Sequence, residues 1–165
     1  MINKKLVLAS AFSLFLNMFT FTSAKNVEVK VIEVASGDSF SALLNNQIIY
    51  IKLNNIKSPE VGENYESEST EALKFLILNK YVEIETDKKL YDKNKKLLVY
   101  AFCNGKFINE IMLYSGLTKY EHEYPNYKYF LKLITAENFA KDNELNLFKL
   151  DSFIFLYKSS NLCIE

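Results

Sequence analysis

Between residues 27 and 59 the sequence alternates apolar and polar side chains and breaks twice at turn-forming pairs. Val27, Val29 and Val31 fall on one face of an extended chain, and Glu28 and Lys30 on the other. Gly37-Asp38 interrupts the run and residues 40–44 resume it. Asn45-Asn46 then supplies the tight pair that a short hairpin needs before residues 47–53. Ile51, Leu53 and, past Asn54-Asn55, Ile56 are apolar, with Lys52 on the opposite face. Ser58-Pro59 ends this strand, because proline has no amide hydrogen to extend a ladder. Three antiparallel strands in succession predict a meander that closes into a small barrel.

The rest of the sequence supplies parts for that barrel. A glutamate-rich link (Glu60, Glu63, Glu66, Glu68, Glu71) leads into a helix expected over residues 67–79, where Ala72, Phe75 and Leu76 follow helical spacing. Acids at a helix start sit favourably against its dipole, which explains them without a site. Residues 81–86 and 96–103 read as a fourth and fifth strand. Between them lies DKKLYDKNKK, a loop containing Lys88, Lys89, Lys93, Lys95 and Lys96. Asn104-Gly105 signals a hairpin, FINEIMLYSGL a short helix ended by Gly116, and residues 126–143 a last amphipathic helix. With no internal repeat or linker, the expected architecture is α+β and mainly β: a five-stranded OB-type barrel with about three packed helices. Such barrels bind oligonucleotides on one face.

The ends read differently. Residues 1–24 have the pattern of a signal peptide: Lys4 and Lys5, a mostly apolar stretch, then Thr22-Ser23-Ala24 before Lys25. Export to the periplasm or the exterior is the expectation, and an uncleaved anchor the alternative. The expected domain therefore covers residues 25–148, with 149–165 as a C-terminal extension. Lysine carries every positive side-chain charge, since the sequence has no arginine. Without the first 24 residues, 18 lysines face 20 acids, a net charge of 18 − 20 = −2. This excludes a non-specific nucleic-acid coat, so any attraction for phosphate is local. In an exported chain Cys103 and Cys163 are open to pairing; two thiols are the alternative.

The Gly37-Asp38-Ser39 turn and the strand ending in Lys57-Ser58-Pro59-Glu60 resemble the staphylococcal thermonuclease family. So do the loop at Asp92-Lys93, the stretch FINEIMLYSGLTKY and the final KLITAENFAKDNELNLF. The likeness runs over about residues 27–148. It implies hydrolysis of DNA or RNA phosphodiesters, with calcium as cofactor. By position, Asp38 matches a calcium carboxylate, Ser58 a residue giving the metal a backbone oxygen, and Glu60 the general base. Lys52 and Lys96 stand where the family has two phosphate-gripping arginines. Tyr124 matches a nucleotide-contacting tyrosine, and His122 falls where a second tyrosine is usual. Lys93, Lys57 and Tyr124 complete the expected nucleic-acid contacts.

The departures matter chemically. Lysine binds phosphate as a point charge and lacks the paired donors of guanidinium. Loss of one such donor costs about 10²–10³ in rate. Lys57 replaces the second calcium aspartate and Ser36 the acid before Gly37; a cation in place of a ligand removes attraction and adds repulsion. Two readings follow. One is an exported nuclease of reduced activity, with Glu60, Lys52 and Lys96 catalytic and Asp38 and Ser58 holding any metal. The other is a catalytically silent module that binds single-stranded nucleic acid or a protein partner.

Overall fold

The computed structural model describes residues 27–145; the proposed signal peptide, the C-terminal extension and Cys163 lie outside them. Strands β1 (Val27–Ser36), β2 (Ser39–Leu44) and β3 (Gln47–Leu53) form the antiparallel meander. Strand β4 (Ile56–Lys57) is a short continuation past the Asn54-Asn55 turn. Helix α1 (Glu66–Ile77) follows, then β5 (Tyr81–Glu85), β6 (Leu97–Cys103), β7 (Lys106–Phe107), α2 (Ile108–Tyr114), β8 (Lys119–Tyr120) and α3 (Phe130–Asp142). The main sheet runs β3-β2-β1-β5-β6-β7, and a parallel β3–β6 pairing, Ile51 opposite Leu97 and Lys52 opposite Leu98, closes it. Five strands thus make a closed barrel with three helices packed around it, an α+β fold dominated by strands.

Alternation explains which side chains fill the interior. Val29, Val31, Ala42, Ile51 and Leu53 point inward, while Ile48, Tyr50 and Lys52 take the outer face of β3. Helix α1 closes one side with Leu73, Leu76 and Ile77, and α2 adds Ile108, Met112 and Leu113. Cys103 is buried in the same core, as its place beside Phe102 suggests. Five hairpin or turn asparagines, Asn45 (φ 50°), Asn46 (φ 64°), Asn55 (φ 59°), Asn79 (φ 62°) and Asn104 (φ 48°), hold the left-handed backbone these reversals require.

Several bounds differ from the sequence expectation. The third strand stops at Leu53 and restarts as β4, which pairs with β8. The last helix begins at Phe130, not near residue 126. The reason is Asn126, whose side chain receives the Lys89 amide at 2.7 Å and donates to the Lys89 carbonyl at 2.9 Å. This pins the segment to the lysine loop, and the chain reaches α3 through turns closed by the Asn126 amide on the Glu123 carbonyl (2.6 Å) and the Phe130 amide on the Tyr127 carbonyl (3.1 Å).

Buried amides stitch the connections to the barrel. Asn109 donates to the Asn54 carbonyl (2.9 Å) and accepts from the Ala101 amide (3.0 Å). Asn55 accepts the Tyr100 hydroxyl (2.8 Å), and burial raises the pKa of that hydroxyl, so it stays a donor.

Gly37 shows how the helix positions the turn. A β-carbon there would lie 1.7 Å from the Ser69 Oγ and 2.7 Å from its Cβ, because α1 crosses directly over the turn. Gly37→Ala is expected to cost about 1–3 kcal/mol through overpacking. Adding Ser69→Ala should recover part of that loss in urea unfolding. No recovery would mean the helix does not set this glycine.

Candidate active site

The β1–β2 turn carries Asp38 into a nearly enclosed position at the barrel rim, 7% exposed. Its Oδ1 accepts hydrogen bonds from the hydroxyls of Ser36 (2.7 Å) and Ser39 (2.9 Å). Its Oδ2 accepts from the Ser58 amide at 3.4 Å and lies 4.0 Å from the Lys52 ammonium. Register explains the meeting: Ser39 pairs with Lys52 across β2–β3, so the turn and the cation share one end of the hairpin. Lys96, just before β6, reaches the Ser39 Oγ at 3.2 Å. Barrel closure therefore gathers Asp38, Lys52, Ser58 and Lys96 around Ser39.

Glu60 stands beside this group, not within it. Its carboxylate pairs with Lys57 at 2.7 Å and its side chain is 68% exposed. The Lys57 hydrogen bond and charge hold its pKa below the ordinary carboxylate range, with Lys93 adding to the effect. Lys57 reaches Glu60, and no ion pair joins it to Asp38 among the described residues. Lys57 and Ser58 also line a cleft of about 1050 Å³ with Pro59, Tyr65, Thr118 and Glu137. Tyr124 is 72% exposed, its ring 6.1 Å from that of Tyr127. His122 bonds the Tyr127 hydroxyl at 3.0 Å, on a rim of aromatic rings.

Sequence reasoning missed Glu121. Its carboxylate holds the Lys52 ammonium at 2.7 Å, across 69 residues of chain. Burial would lower the lysine pKa, but the Glu121 hydrogen bond and the Asp38 charge outweigh it and raise it above the ordinary value. Glu123, on the same side of this extended segment, pairs with Lys89 at 2.6 Å. The Glu-His-Glu alternation was the available signal: two acids two residues apart share a face, here the one facing the lysines.

The sequence matches the family of staphylococcal nuclease homologues over residues 50–149. The chain belongs to that family. It is 25% identical over 136 residues to the SPbeta prophage-derived endonuclease YokF of Bacillus subtilis, covering 78% of this chain and 46% of that protein. It is also 25% identical over 149 residues to endonuclease YncB of Bacillus subtilis, 86% of this chain and 70% of the relative. The thermonuclease of Staphylococcus hyicus is 24% identical over 132 residues, 76% of this chain and 78% of that enzyme. The chain thus spans under half the length of the first relative and most of the other two.

Membership in the nuclease family implies calcium, and the donors here do not fit it. Calcium takes about six to eight oxygens. Asp38 already accepts from two hydroxyls and an amide, three of its about four acceptor sites, with an ammonium facing it. Lys57 brings a cation to this rim, and Glu60 and Glu121 each have a lysine partner. Among the described residues no group of three or more His, Cys, Asp or Glu is arranged to hold a metal ion.

The Lys52–Glu121 pair makes a measurable demand on any phosphate, which must compete with the carboxylate. Partly exposed pairs of this kind are worth about 0.2–1 kcal/mol. Glu121→Gln should therefore raise affinity for a single-stranded oligonucleotide up to about fivefold. Glu110→Gln, which breaks a pair with Lys132 elsewhere, should leave it unchanged in fluorescence anisotropy.

Proposed function

We propose that this chain is an exported, slow nuclease that hydrolyses phosphodiester bonds of single-stranded DNA or RNA. The observation that carries the reading is the gathering of Lys52 and Lys96 around Ser39 and Asp38, with Glu60 adjacent on the strand end that Ser58 ties to Asp38. The two ammonium groups supply positive charge for the phosphoryl oxygens. Asp38 positions Lys52 and the turn. Glu60, held ionised by Lys57 and largely exposed, takes a proton from the attacking water. Attenuation follows from point-charge lysines in the place of guanidinium forks. The nuclease names of the relatives support the reaction class. The apolar stretch after Lys4 and Lys5, with small residues before Lys25, supports export.

A second reading has a specific observation in its favour. Lys52 and Glu60, the expected grip and base, are both engaged in ion pairs. A module that holds a strand without cutting it fits such a self-neutralised site.

Glu60→Gln separates the two. For the nuclease, cleavage of a single-stranded oligonucleotide should drop by about 10²–10⁴ while binding persists. Binding with no cleavage by the unmutated chain selects the module. The pH profile gives an independent check. A carboxyl with a lowered pKa is ionised across neutral pH and loses its basic form only as pH falls through that lowered value. The acid limb of cleavage should therefore lie below the ordinary carboxylate range, and Lys57→Met should move it upward. An unmoved limb would remove Glu60 from the base role.

A further inference from the structure

We infer that this chain grips its phosphodiester with ammonium groups alone and needs no divalent cation to do so. The inference rests on the nucleic-acid reading of the same site. It goes beyond that reading by replacing the metal-held phosphate implied by the family with a lysine-held one.

The argument starts from the partners of each acid. Asp38 faces Lys52, Glu121 binds Lys52, Glu60 binds Lys57 and Glu123 binds Lys89. A calcium ion entering here would have to expel ammonium groups from these carboxylates one by one. It would gain at each step only an oxygen that already had a cation. Its remaining ligands would have to come from backbone and water, since Lys57 brings a cation to this rim. Magnesium, which keeps several waters and uses one or two carboxylates, meets the same obstacle at Asp38. There two hydroxyls and an amide already approach the carboxylate.

An anion meets the opposite situation. Lys96 makes no ion pair among the described residues; its ammonium donates to the neutral Ser39 hydroxyl. No carboxylate pairs with it directly, and it stands near a second ammonium whose counter-ion Glu121 is partly exposed. A phosphodiester oxygen bridging Lys96 and Lys52 restores the balance that a divalent cation would upset.

Two measurements on the chain covering residues 25–165 test this. Thermal unfolding and titration calorimetry with calcium chloride or magnesium chloride alone should show no binding up to about 10⁻³ M. Lys57→Asp, which adds a carboxylate and removes the ammonium, should gain a calcium-dependent rise in Tm. In parallel, anisotropy of a labelled thymidine hexanucleotide should give the same Kd in calcium and in chelator, within about twofold. That Kd should weaken as salt rises, and Lys96→Gln should weaken it by about fivefold to tenfold. Calcium binding by the unmutated chain, or about a tenfold loss of oligonucleotide affinity in chelator, would overturn the inference and leave the nucleic-acid reading standing. No oligonucleotide binding with or without calcium would overturn both. A Lys57→Asp chain blind to calcium would show that Lys57 is not what excludes the ion.

Discussion

Closure of the barrel along β3 and β6 is the constraint on which the site depends. These strands are far apart in sequence and run parallel, so no hairpin could pair them. Only the twist and coiling of the intervening antiparallel strands bring them edge to edge. Their pairing sets Lys96 beside the β2–β3 hairpin, where Ser39 and Lys52 already face one another. Were the sheet open, the two cations would belong to different edges and could not act on one phosphate.

The rim built by this closure is nearly neutral despite its many charges. Lysines and acids from the turn, β3, β4, the lysine loop, the link after Pro59 and the segment after β8 pair off at 2.6–2.7 Å or stand within 4.0 Å. Most of these pairs are exposed enough to contribute little to stability. Their effect is on recognition: each fixes the position of a charge and decides whether an incoming anion or cation finds it occupied. The buried amides of Asn55, Asn109 and Asn126 have the structural part. They hold the lysine loop and the acidic segment against the barrel so that the pairing is reproducible.

Much of the fold is legible because alternation and turn chemistry are local. The meander, the Asn45-Asn46 and Asn104-Gly105 reversals and the core positions of Val29, Val31, Ile51 and Leu53 all follow from neighbours in sequence. Strands β4 and β8 are not legible, since two residues carry no period and their pairing is tertiary. The start of α3 is missed for a related reason: helical spacing extends back toward Asn126, but that side chain is committed to Lys89. In the site, the group of Asp38, Ser58, Lys52 and Lys96 could be inferred by position. The direction of Lys57 and the reach of Glu121 could not, because a long side chain's partner is set by what folds against it.

The asparagine turns bear on the unfolded chain as well as the folded one. A left-handed residue other than glycine carries some steric cost in the native state. An asparagine also roams less than a glycine when the chain is open, so less freedom is surrendered on folding. With reversals at Asn45, Asn46, Asn55 and Asn104 built this way, the open ensemble is already narrowed at the hinges of the barrel. Tightly drawn strands are thus obtained from a sequence that contains few glycines.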